Sequence, residues 1–104
     1  MLLGEFEKIM ANSTFEWNEN KALRNIDKHG VSFEEAVTVF LDMHSLTIFD
    51  EKHSTTEDRF IDIGRSLSGR LLVVVYTERA EQIRIISARQ ATITERRVYE
   101  RRKP

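Results

Sequence analysis

Apolar positions change their spacing once along this chain. Between Asn18 and Phe40 they recur at three- and four-residue intervals, as on a helix face. Between Ser45 and Arg89 they alternate or run together, as in strands. Phe15 to Trp17 reads as a short strand ahead of the first helix. Asn18 is placed to cap a helix over Glu19 to His29, with Ala22, Leu23 and Ile26 on its inward face and Gly30 as its stop. Ser32 and Glu35 have capping-box spacing and open a second helix through Phe40, which buries Phe33, Ala36, Val37 and Phe40. Ser45 to Asp50, Arg59 to Arg65, Leu71 to Thr77 and Ile83 to Arg89 follow as strands. The third of these is apolar on both faces and so central. Short connections, the Ser68-Gly69 turn among them, make these strands antiparallel neighbours. Thr92 and Glu95 form another capping box, starting a last helix through about Arg102. The expected fold is α+β: a short strand, two helices, an antiparallel meander sheet of three to four strands, and a C-terminal helix.

Residues 1–13 are weakly patterned and read as an N-terminal extension, with Phe6, Ile9 and Met10 on one side of any short helix there. Both Met1 and Met10 stay open as initiators. Residues 14–104 read as one domain. At 104 residues, 40% hydrophobic and 32% charged, the chain has the make-up of a folded domain rather than a disordered one. It has no cysteine, which excludes disulfides and thiolate metal sites and is compatible with a reducing compartment. The longest apolar run, Leu71 to Tyr76, is far too short to span a bilayer, and the first residues lack the basic start and apolar stretch of a secretory signal. A cytoplasmic location and no membrane partner are therefore expected.

Charge alters this bland picture. Residues 1–78 hold eight Lys and Arg against fourteen Asp and Glu, whereas residues 79–104 hold eight against three. Seven of the latter cations are arginines, whose planar fork matches phosphate and carboxylate. A basic quarter on an acidic body points to a local site for an anionic partner, with a solvated helix face as the plain alternative. No glycine-rich phosphate loop, metal-ligand spacing or serine elbow is present, so no metal and no cofactor is expected. The remaining candidates are cations. Lys28 and His29 end the first helix, Arg65 ends a strand, and Arg96, Arg97, Arg101 and Arg102 line the last helix. Arg84 and Arg89 share a strand at odd spacing, which predicts opposite faces, with Arg89 beside Ile83, Ile85 and Ser87. An arginine at a strand end, next to a capped helix start, suits a phosphate. Each has a structural alternative: Lys28 and His29 complement a helix dipole, Arg65 is an ordinary strand-end charge, Arg89 pairs with Glu95, and Trp17 and Tyr76 belong to the core.

Several stretches resemble the BrnT family of toxins from bacterial type II toxin–antitoxin pairs. They are F-E-W-N-E-N-K at 15–21, N-I-D-K-H-G-V-S-F-E-E-A at 25–36, F-L-D at 40–42, R-F-I-D-I-G-R-S at 59–66 and I-R-I-I-S-A-R-Q-A-T-I-T-E-R at 83–96. The resemblance covers about residues 14–100. It implies a RelE-like ribonuclease fold and metal-independent RNA cleavage that arrests translation. It also implies a ribbon-helix-helix antitoxin, expected in a heterotetramer that reaches operator DNA only through the antitoxin. The family's polar signature falls on Lys28, His29, Arg65, Arg89 and Glu95. Arg84, Gln90, Arg96, Arg97 and Tyr76 are expected to contact RNA around them. His29 or Glu95 is the candidate general base, and His29 is preferred because an ordinary imidazole titrates near operating pH. Met43, Gln90 and Ile93 depart from the family pattern. Gln90 and Ile93 stand where cations are common, which predicts a weakened or inactive copy. The competing function is a binding module that docks an antitoxin and acts as co-repressor. Direct DNA binding is disfavoured by the acidic body.

Overall fold

The computed structural model describes residues 14–102, so the extension at 1–13 and the choice of initiator lie outside the described residues. In chain order the elements are β1 (Thr14–Glu16), α1 (Glu19–His29), α2 (Phe33–Val37) running into a 3-10 turn (Thr38–Leu41), β2 (Leu46–Phe49), a 3-10 turn (Glu51–His53), β3 (Arg59–Arg65), β4 (Leu71–Arg79), β5 (Gln82–Gln90) and α3 (Ile93–Arg102). The α+β class holds, but the sheet is larger than expected. It has five strands in the order β1-β5-β4-β3-β2, and β1 lies parallel to β5. The sheet is therefore mixed, not a three- or four-stranded antiparallel meander. Its antiparallel part is a meander, with β4 at the centre.

Local chemistry accounts for the helix ends. Asn18 accepts from the Lys21 N–H, and Gly30 adopts a left-handed conformation at φ 68° that an L side chain resists. Ser32 accepts from the Glu35 N–H, but the Glu35 carboxylate does not return the bond. Instead it takes Arg70, Ser66 and Ser68, tying α2 to the β3–β4 turn.

The helical layer covers one sheet face. Ala22, Val31, Phe33, Ala36, Val37 and Val39 pack on Leu72, Val74, Tyr76, Ile85 and Ala88. Phe15, Phe40, Tyr76, Phe60 and Phe49 form a chain of aromatic contacts across that face. On the opposite face α3 lays Tyr99 over Ile63, Leu71 and Val73.

Three local details depart from the periodicity. Leu23 and Ile26 of α1 are exposed, at 61% and 44%, while Asn25 is buried. Beyond Arg84, β1 no longer pairs with β5, and Asn25 satisfies the open edge: Nδ2 donates to Ala88 O and Oδ1 accepts from Ala88 N–H. Second, Val75 pairs with Ser87 but Tyr76 pairs with Ile85, so Ile86 is an extra residue. This bulge reverses the alternation. Arg84 and Arg89 thus share one face, and Arg89 does not lie beside Ile83 and Ile85. Third, Gly64 is needed for contact. A Cβ there would sit 2.7 Å from Val39 Cγ1 and 3.0 Å from Ser45 Cβ.

Gly64→Ala is expected to cost about 1–3 kcal/mol by overpacking, lowering the melting temperature by at least about 4 °C. Thermal unfolding followed by circular dichroism measures this. An unchanged midpoint would show that the 38–41 turn moves away freely.

Candidate functional site

Two strand ends and one helix start build the basic face. Arg65 ends β3 and pairs in register with Leu71, while Arg89 pairs with Val73. Leu71 and Val73 both contact the Tyr99 cluster, so Arg65 and Arg89 stand on the α3 face with β4 between them, about 10 Å apart across the strands. The chain leaves β5 by a bond from Ala91 N–H to Leu71 O and enters α3 at once. The expected capping box is present there: Thr92 N–H donates to Glu95 Oε1 at 2.8 Å, and Glu95 N–H donates to Thr92 Oγ1 at 3.2 Å.

Glu95 has a second partner. Arg89 donates both terminal nitrogens to its carboxylate, at 2.7 and 2.8 Å. The guanidinium, with the Thr92 bonds, holds the Glu95 carboxyl down at about 2. Both carboxylate oxygens are engaged by Arg89, and one also by the Thr92 N–H, an arrangement that suits Glu95 to positioning Arg89. Its place is beside Arg89, which it orients.

Arg65 is held differently. Its backbone N–H donates to Asp42 Oδ2 at 2.8 Å, its Nη1 donates to Gly69 O at 3.0 Å, and its guanidinium carbon lies 5.8 Å from the centre of the Tyr99 ring. Tyr99 donates its hydroxyl to the same Asp42 oxygen at 2.7 Å. Burial works to raise the Asp42 carboxyl, but the bonds from Arg65, Tyr99 and His44 outweigh it and set it below its ordinary value. Among the described residues no carboxylate pairs with the Arg65 guanidinium.

Lys28 and His29 reach this end of the sheet from the other layer. They close α1 just before Gly30, whose carbonyl accepts from Arg70 Nη2 at 3.0 Å. Lys28 is exposed and His29 half-buried. Among the described residues no hydrogen bond or ion pair joins either to Arg65, Arg89 or Glu95. Gln90, Arg96 and Arg97 are exposed beside the site. Arg84 is not brought to it: five residues from Arg89, roughly 16 Å along the strand, it faces Glu16 at 3.6 Å. Tyr76 is a correction. It is 4% exposed and donates its hydroxyl to buried Asp62 at 2.9 Å, so it offers no ring face to a base. Asp42, Tyr99 and Glu35 with Arg70 were not anticipated at the site. The F-L-D stretch held Asp42 in view, and Tyr99 lies one turn after Glu95 on the same helix face.

The arrangement is that of a small α+β domain presenting arginines from a sheet face beside a capped helix, a class suited to an anionic ligand. A family model described as the ribonuclease toxin BrnT of type II toxin–antitoxin systems matches residues 17–95, and the chain belongs to that family. Its fold is similar to the crystal structure of the Brucella abortus ribonuclease toxin BrnT, with a TM-score of 0.59 and 22% identity, over 77% of this chain and 96% of that one. No curated protein matches the sequence. Membership makes the chain a ribonuclease toxin that works opposite an antitoxin. No helix among the described residues is long and apolar enough to cross a membrane.

Glu35 and Glu95 both titrate at about 2, against an ordinary value of 4.5. A carboxyl lowered by folding stabilises the native state above its unfolded value, and that stability is lost as pH falls toward the folded value. Melting temperature is thus expected to drop between about pH 4.5 and 2, less steeply in Glu95→Gln. An acid limb identical to wild type in Glu95→Gln would mean that the Arg89 pair adds no stability.

Proposed function

We propose that this chain cuts RNA without a metal and so halts translation in the cytoplasm, on a RelE-like plan. A ribbon-helix-helix antitoxin relieves the arrest, in a heterotetramer that meets operator DNA through the antitoxin alone. The observation that carries the reading is the placement of Arg65 and Arg89 on one sheet face against the start of α3. RNA brings its own nucleophile, the 2′-hydroxyl. The enzyme has to orient it, accept its proton and neutralise the charge that grows on phosphorus. Arg65 and Arg89 supply that neutralisation, with Lys28 as a further cation. His29 accepts the proton, and Glu95 keeps Arg89 in position. Gln90, Arg96 and Arg97 meet the flanking phosphates.

A second reading is favoured by one observation. Both terminal nitrogens of Arg89 are already engaged by Glu95, and exposed Gln90 and Ile93 add no charge. This describes a weakened copy that serves mainly as antitoxin-binding module and co-repressor. Inducing the chain alone in bacterial cells separates the two. The enzyme stops growth and leaves cut RNA, whereas the module does neither.

Arg89→Ala is expected to lower RNA cleavage by about 100-fold or more with a melting temperature only a few degrees lower. Parallel loss of fold and cleavage would make Arg89 structural. Gln90→Lys is expected to raise cleavage and toxicity by adding a cation at the site. An unchanged growth curve counts against the weakened-copy reading.

A further inference from the structure

We propose that Tyr99 is a positioning residue for Arg65, its ring and its Asp42-bound hydroxyl fixing where that guanidinium sits. The inference rests on the reading of Arg65 as a phosphate-facing cation, and Tyr99 lies outside the residues matched by the family model. Tyr99 is the one buried side chain of α3, 1% exposed. Packing on Ile63, Leu71 and Val73 requires only an apolar group of this size. A leucine would supply most of that. The ring face and the hydroxyl exceed what packing needs, and both are used toward Arg65. The ring lies beneath the guanidinium at 5.8 Å, within cation–π range. The hydroxyl is bound to Asp42 Oδ2, the oxygen that also accepts the Arg65 N–H. One carboxylate oxygen therefore anchors both the backbone that carries the guanidinium and the ring on which it rests.

This geometry removes freedom from a long side chain. Gly69 O takes one guanidinium nitrogen and the ring takes one face, so the donors on the remaining edge are held in advance. Preorganised donors stabilise developing charge better than mobile ones. Tyr99 itself is enclosed and its hydroxyl is occupied, so it acts through Arg65 and not on RNA.

The test is a double-mutant cycle on the full chain, with Tyr99→Leu, Arg65→Ala and the pair, and with Tyr99→Phe to keep the ring. Cleavage of a single-stranded RNA oligonucleotide gives kcat/KM, and a 2′-O-methyl RNA of the same sequence, which cannot be cut, gives Kd. Tyr99→Leu is expected to lower kcat/KM or affinity about tenfold and Tyr99→Phe about threefold, with Tyr99→Leu costing nothing further once Arg65 is alanine. Equal losses with and without Arg65 would overturn the proposal, leaving Tyr99 as packing alone. An Arg65→Ala chain that cleaves and binds like wild type overturns the reading of Arg65 first, and the role of Tyr99 with it. Thermal melts check that each variant folds. If Tyr99→Leu does not fold, the cycle is closed with Tyr99→Phe and the same criterion applied to its threefold effect.

Discussion

One carboxylate joins the two faces of the sheet. Asp42 leaves the 3-10 turn of the helical layer, accepts the Arg65 N–H and the Tyr99 hydroxyl through Oδ2, and accepts the His44 N–H through Oδ1. Pairing between β2 and β3 ends at Leu46 and Ile63, so the Arg65 N–H needs a partner that β2 does not provide. Asp42 is that partner. Its approach depends on Gly64, where any Cβ would crowd Val39, Ser45 and Asp42 itself. The consequence for function is geometric: the end of β3 and the register of α3 are set by the same group.

The two arginines of the face are held in different electrostatic states. Arg89 is forked against Glu95 and forms a nearly neutral pair. Arg65 has a carbonyl and an aromatic face but, among the described residues, no acid, so there it carries the unbalanced charge. Carbonyl and ring hold a cation without cancelling it, whereas a carboxylate holds and cancels it at once. On the proposed reading, a phosphate nearing the face is drawn first to Arg65.

Where sequence and structure agree, the signal was local. Asn18, Gly30 and the Thr92–Glu95 box mark helix ends through bonds made within four residues, and the apolar run at Leu71 marks the central strand. Where they part, the cause was distant or cumulative. β1 pairs with β5 across 68 positions, from Thr14 to Gln82, and no short-range pattern announces a parallel partner so far away. The bulge at Ile86 comes from how β4 and β5 align, and a single extra residue moved Arg84 onto the face of Arg89. Asn25 takes an inward position because the β5 edge leaves the Ala88 backbone groups to be satisfied. Of the candidate site, the placement of Arg65, Arg89 and Glu95 around the start of α3 was legible from charge and capping. Asp42 and Tyr99 were not, because a hydroxyl and a carboxylate 57 residues apart form one support only after folding.

On the proposed reading, the Glu95 clasp on Arg89 also bears on selectivity for the transition state. A phosphodiester carries one negative charge, and the phosphorane formed by 2′-hydroxyl attack carries close to two. Glu95 competes for the same guanidinium donors in both states. The singly charged ground state competes poorly against a carboxylate already bound through two short bonds and braced by Thr92. The more highly charged phosphorane competes better. A clasp that weakens substrate binding more than transition-state binding lowers affinity without an equal loss of rate, which is the differential that catalysis requires. On that reading the same clasp makes Arg89 available only when charge has begun to build on phosphorus, while Arg65, which has no carboxylate partner among the described residues, meets the substrate from the start.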